Sequence, residues 1–270
     1  MTPDRSPTPA PAPPDPRTLP RAALVTGAAR RLGRACALEL ATLGFDVVLH
    51  HRASRDEAED TAQAVRALGQ RAEILQADLS KEDEVSALAE AAGSVFGPLG
   101  VLVNNASVFE LDLWDTADRG SWDLHMETNL RAPFLLSQVF ARSLPADRTG
   151  LIVNLLDQRV WNLTPYFTSY TLSKAGLWTL TQTLALALAP RIRVNGIGPG
   201  PALPSPRQTD EAFARQAASV PLGHGTSPEE IGRALRFLLE APSVTGQMIA
   251  LDGGQHLGWA QPTSPPQFME

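Results

Sequence analysis

The stretch AALVTGAARRLG at residues 22–33 decides how the rest of the chain is read. Four small or branched apolar residues and a threonine make a short strand, Gly27 allows a sharp exit, and the helical pattern LGRACALELATLG (32–44) begins almost at once. A strand that turns on glycine straight into a helix aims the first amide groups of that helix at the turn, where they hold phosphate. Gly27, Leu32 and Gly33 are the expected cradle, with Gly33 letting the helix pack close to the sheet.

Outward from this unit the same alternation repeats. Apolar runs recur at DVVLH (46–50), AEILQA (72–77), GVLVN (100–104), GLIVNLL (150–156), RIRVNGIG (191–198) and QMIALDGG (247–254). Helical segments such as RDEAEDTAQAVRALG (55–69) and KEDEVSALAEAAGSVFG (81–97) separate them. Strands without a polar alternation are buried on both faces, as in a parallel sheet covered by helices. The expectation is one α/β domain over residues 21–257, a doubly wound, seven-stranded parallel sheet flanked by helices, with its ligands at the carboxyl ends of the strands. Residues 1–20 hold eight prolines and read as a disordered tail, with a proline-rich adaptor ligand as the sharper alternative; 258–270 reads as a second tail.

Bulk properties narrow the function. The 270 residues are 43% hydrophobic, enough for one substantial core, and the net charge of −6 argues against a nucleic-acid partner. The lone Cys36 excludes an intramolecular disulfide and reads as core packing. The N-terminus lacks the apolar region of a signal peptide, no run of 18 apolar residues exists, and cytoplasmic localisation without membrane association is expected. The five histidines, at 50, 51, 125, 224 and 256, lack ligand spacing, so no metal is expected.

The second strand ends at His50-His51-Arg52. A site for NAD places a carboxylate here to bind the ribose hydroxyls, and a carboxylate would repel a 2′-phosphate. Arg52 and Ser54, with Arg55 as a further candidate, attract that phosphate instead, which points to NADPH. Arg30 and Arg31, inside the turn, suit an extra phosphate or a polar substrate group, or form a solvated pair. Asp78, at the end of the third strand, reads as a partner for the adenine amino group or as an N-cap of the next helix.

A second constellation lies downstream. Asp157 ends the fifth strand, Tyr170 follows thirteen residues later, and Lys174 lies four residues beyond on one helix face. Together with TGAARRLG, NNAS (104–107), Asn129 in ETNLRAPF, RVNGIGPG and the terminal LDGG, these residues resemble the short-chain dehydrogenase/reductase family over about residues 21–254. The resemblance implies a Rossmann fold and an NADPH/NADP+ cofactor. It makes Tyr170 the proton donor and gives Lys174 two roles, binding the nicotinamide ribose and lowering the tyrosine pKa. Asn129 would support a water chain to the lysine. It adds His51, Leu79, Asn105, Ala106, Ser107, Pro199 and Gly200 to the cofactor contacts, and it implies a homotetramer or homodimer. Leu177, Trp178 and Leu184 read as exposed apolar residues suited to such a contact.

Most of that family has serine where this chain has Asp157. A serine hydroxyl donates to a carbonyl oxygen, whereas an ionised aspartate only accepts. Substrates with N–H donors or ring nitrogens fit better, and the departure is similar to the pteridine reductase branch. That likeness makes Arg31, Ser107, Phe109, Asp157, Tyr170, Pro201 and Leu203 the substrate contacts, with Phe109 stacking on a pterin-like ring or serving as a hydrophobic anchor. Two features depart from the branch. Ala53 stands where it has an arginine before the phosphate-binding serine, and the loop PALPSPRQ (201–208) is proline-rich. Trp161 reads equally as pocket lining or packing. A carbonyl reductase and a non-catalytic NADPH-binding protein are the competing readings.

Overall fold

Six of the seven expected strands form within one residue of their expected ends. The computed structural model describes residues 18–205 and 207–258. The proline-rich tail therefore falls almost wholly outside the described residues, as does all but the first residue of the expected C-terminal tail. The strands are β1 (Ala22–Val25), β2 (Asp46–His51), β3 (Ala72–Gln76), β4 (Val101–Asn104), β5 (Gly150–Leu155), β6 (Ile192–Pro199) and β7 (Met248–Leu251). The seventh ends at Leu251, inside LDGG, where Gly253 and Gly254 turn the chain at φ of 61° and 85°.

All seven strands are parallel, in the order β3-β2-β1-β4-β5-β6-β7. The order reverses between β1 and β4, which pair from Ala23 against Val101, and this opens a crevice beyond their carboxyl ends. Side chains alternate across the sheet and feed two cores. Ala23 and Val25 join Val47, Leu49, Val101 and Leu151 on one face; Ala22 and Leu24 join Val48, Leu102 and Ile152 on the other. Burying each such leucine or valine stabilises the fold by about 1.5–3 kcal/mol.

Helices α1 (Arg31–Thr42), α2 (Arg55–Ala67), α3 (Glu82–Val95), α4 (Arg119–Met126), α5 (Ala132–Ser143), α6 (Thr168–Leu188), α7 (Asp210–Ala218) and α8 (Pro228–Glu240) cover the faces. A π-helical segment at Glu127–Arg131, carrying Asn129, joins α4 to α5. The expected apolar surface on α6 is corrected: Leu177 and Leu184 are buried and Trp178 is partly buried against a small core. The helix is wedged between β6 and the π-helical segment, so it buries more than one side. Its exposed large apolar residues are Leu172 and Leu186.

Candidate active site

A cleft of about 920 Å³ runs along the carboxyl ends of the strands. Its first wall is the turn after β1. Gly27 sits at φ of 63°, and a Cβ on Gly33 would stand 2.1 Å from the Gly27 carbonyl, so only glycine allows α1 to approach this closely. Asn105 donates from its amide to the carbonyls of Thr26 at 2.8 Å and Gly27 at 3.1 Å, bracing the turn. The N-cap residue of α1, Arg30, makes no side-chain capping bond among the described residues, and Arg30, Arg31, Leu32 and Gly33 all line the cleft at the start of the helix.

Arg31 occupies the left-handed region at φ of 55°, where the sequence departs from the glycine usual in such turns. Its guanidinium donates to the carbonyls of Pro204 at 2.7 Å and Leu203 at 3.2 Å, tying the glycine turn to the loop that follows β6. At the end of β2, His51, Arg52 and Ser54 all line the cleft. His51 is buried, and among the described residues neither of its ring nitrogens is hydrogen-bonded. Asp78 accepts from the amide and hydroxyl of Ser80, and Lys81, not Asp78, is the N-cap of α3. Leu79, Asn105, Ala106, Ser107, Pro199 and Gly200 complete this part of the lining.

His50 has a role its position alone does not reveal. Buried between turn and sheet, it accepts from the Gly27 amide through Nδ1 at 3.1 Å and faces the Ala77 carbonyl through Nε2 at 3.0 Å. An amide only donates and a carbonyl only accepts, which fixes the Nε2–H tautomer. Burial holds its pKa down at about 4, so the ring stays neutral.

The three chemistry-bearing residues meet at the centre of the cleft. The Tyr170 hydroxyl donates to Asp157 Oδ2 at 2.9 Å, and the other carboxylate oxygen accepts from the Arg159 amide at 2.7 Å. Lys174 is almost fully buried, donates to the Leu155 carbonyl at 2.7 Å, and lies 5.9 Å from the centre of the Tyr170 ring. Burial pushes the Lys174 ammonium down from 10.5 to about 8, against the opposing pull of Asp157.

Asn129 does not reach the cleft. Its Nδ2 donates to the Val108 carbonyl at 2.9 Å and to Ser173 Oγ at 3.1 Å, and its Oδ1 accepts from the Val108 amide at 2.8 Å. It braces the segment behind Tyr170.

Beside Tyr170, Phe109 stacks on Phe167 with centroids 4.3 Å apart and meets Tyr170 edge-on at 4.6 Å. Phe167 thus already covers part of the ring expected to stack on substrate. Pro201 and Leu203 line the cleft too. Trp161 lies outside it, packed edge-on against Trp178 and His256. The sequence reading missed the almost fully buried Arg159, whose guanidinium lies 5.1 Å from the Phe167 centroid, and the polar residues Asn162, Thr164, Arg215 and Gln216. None of these stands in a motif with fixed spacing.

The family model described as enoyl-(acyl carrier protein) reductase matches residues 27–256. The chain belongs to the short-chain dehydrogenase/reductase family. Among relatives in this family, the 3-oxoacyl-(acyl-carrier-protein) reductase FabG of Staphylococcus epidermidis is 33% identical over 242 residues, spanning 88% of this chain and 99% of that one. The 3beta-hydroxysteroid dehydrogenase 1 of Eggerthella lenta is 34% identical over 247 residues, 87% of this chain and 93% of that one. FolM alternative dihydrofolate reductase 1 from Brucella canis, solved as a complex with NADP, is 46% identical with a TM-score of 0.83, covering 92% of this chain and 98% of that one. The protein of the same name from Brucella suis, also in complex with NADP, is 49% identical with a TM-score of 0.85, over 89% and 96% of the two chains. Among the described residues no helix is long and apolar enough to cross a membrane.

Proposed function

We propose that the protein is an NADPH-dependent reductase of a pterin-like substrate, a dihydropterin or dihydrofolate, with Tyr170 as the proton donor. The observation that carries this reading is the 2.9 Å bond from Tyr170 to Asp157 inside the cleft. The family's nicotinamide cofactor fits the residues present: a glycine turn no Cβ would tolerate, a helix start that lines the cleft with no side-chain cap from Arg30, and Arg52 and Ser54 where a 2′-phosphate needs donors. The likeness to two Brucella proteins solved with NADP supports the same choice.

When bound, NADPH supplies hydride to an electrophilic carbon of the substrate. Tyr170 holds its proton at the hydroxyl, ready for the neighbouring ring nitrogen. Asp157 accepts from substrate N–H groups and keeps the phenol oriented. Lys174, on the helix face of Tyr170, presents an ammonium to the nicotinamide ribose. Phe109, Phe167 and Tyr170 form an aromatic wall that excludes water and offers a flat surface to a heteroaromatic ring. The enzyme acts as a cytoplasmic homotetramer or homodimer in this reading.

A screen of NADPH oxidation with dihydrobiopterin, dihydromonapterin, dihydrofolate and an acetoacetyl thioester tests the proposal. Turnover with a pterin, lost in Asp157→Ala while NADPH affinity persists, is the expected result. Turnover with the thioester alone would replace it by the second reading, a 3-oxoacyl reductase, which the likeness to the Staphylococcus epidermidis protein favours.

A further inference from the structure

Beneath the aromatic wall lies a buried polar chain that no motif marks. His125 on α4, Ser169 in the first turn of α6 and Asp112 in the loop between β4 and α4 are all buried. His125 Nε2 accepts from the Glu110 amide at 3.0 Å, and its Nδ1 lies 2.7 Å from Ser169 Oγ. An amide only donates, so Nε2 carries no proton, and Nδ1–H donates to Ser169. The Ser169 hydroxyl in turn donates to Asp112 in a short bond, and the Ser169 amide donates to the other Asp112 oxygen at 3.1 Å.

Asp112 does more than receive these bonds. The N-cap residue of helix α6, Phe167, has a left-handed φ of 59° and makes no side-chain capping bond among the described residues. The Asp112 carbonyl accepts from the amides of Phe167 at 2.9 Å and Thr168 at 3.3 Å, so a distant loop residue caps the helix that carries Tyr170 and Lys174. Ser121 Oγ steadies the same carboxylate at 3.1 Å. The His125 ring stands edge-on to the Tyr170 ring at 6.0 Å. One network therefore grips both the Phe109–Glu110 segment and the start of α6.

We propose that His125, acting through Ser169 and Asp112, is a positioning residue that sets the Phe109 wall and the Tyr170 phenol relative to each other. The inference rests on the reading of Tyr170 as proton donor, not on the identity of the substrate. A neutral imidazole is suited to the task because it offers one acceptor and one donor on opposite edges of a rigid ring. Leucine offers neither. Glutamine offers both, through Oε1 and Nε2.

The test compares His125→Leu, His125→Gln and Ser169→Ala in the NADPH-bound enzyme, with whichever of dihydrobiopterin or acetoacetyl thioester the wild type reduces. Small misplacements of reacting groups cost orders of magnitude, so His125→Leu is expected to lose kcat by about tenfold or more and to raise KM for the acceptor. NADPH affinity should stay unchanged, and His125→Gln should recover most of the loss. Hydrogen–deuterium exchange at the Glu110 and Ser169 amides should quicken in the leucine variant and not in the glutamine variant. If His125→Leu does not fold, Ser169→Ala, which cuts the chain while leaving the Glu110 bond, should show the same split between kcat and cofactor affinity. Wild-type kinetics and exchange in a folded leucine or Ser169→Ala variant would overturn the inference, as would equal losses in leucine and glutamine that track lowered thermal stability. A wild type that reduces only the thioester refutes the pterin reading alone, and exchange decides the relay even if neither acceptor is reduced.

Discussion

The phenol of Tyr170 and the carboxylate of Asp157 share a hydrogen bond of 2.9 Å, and the carboxylate is itself pinned by the amide of Arg159 at 2.7 Å. Asp157 is thus oriented for the phenol rather than for solvent. Tyr170→Phe is expected to cut turnover by about 10²–10⁴-fold, the usual contribution of a positioned general acid. Asp157→Ala should lose turnover with pterins while binding NADPH as before. Steady-state kinetics with fluorescence titration of the cofactor checks both.

The glycine turn gives a second expectation. With a Cβ on residue 33 only 2.1 Å from the Gly27 carbonyl and 2.5 Å from Asn105 Nδ2, Gly33→Ala must push α1 away from the turn. NADPH binding should fall sharply, and calorimetry should find lowered stability even without cofactor. An alanine variant with unaltered affinity would contradict the close packing of α1 against the Gly27 carbonyl.

Cofactor choice should respond to Arg52. Hydrogen bonds to charged groups contribute about 1.5–3 kcal/mol, so Arg52→Ala should weaken NADPH about 10- to 100-fold and leave NADH nearly unaffected. The ratio of kcat/KM for the two nucleotides measures this.

Acid stability should track His50. Its folded pKa, about 4, lies below the ordinary 6.5 because burial penalises the charged ring. Between those values the unfolded chain binds the extra proton, so stability rises with pH across the window and is lost as pH falls from about 6.5 towards 4. The difference corresponds to about 3 kcal/mol. His50→Gln should flatten this slope in denaturant titrations run at successive pH values.

Much of this was legible in the sequence because strand ends and glycine turns carry fixed spacing. Gly27, Arg30, Arg31, Leu32, Gly33, Asp157, Tyr170 and Lys174 all reach the cleft from positions the pattern marks. Helix α6 misled because it is apolar on several sides: a helix packed against both β6 and the π-helical segment has no single stripe, so Leu177 and Leu184 looked exposed. His125, Asp112 and Arg159 were invisible for another reason. Each makes its contacts across long chain separations or through backbone groups, and residue type alone does not record such partners. His50 and His51 show the limit within two adjacent positions, since both line the cleft yet the His50 ring bonds the Gly27 amide while the His51 ring nitrogens are buried without a hydrogen bond among the described residues.

The pairing of Ala23 with Val101 bears on synthesis. A growing polypeptide on the ribosome carries the complete turn at Gly27 long before β4 exists to support it, and the brace from Asn105 arrives later still. The nucleotide cannot template the amino-terminal half; it can reward only a chain whose far strands have already docked. Nascent chains stalled before residue 100 are expected to gain no protease protection from NADPH, whereas released full-length chains should.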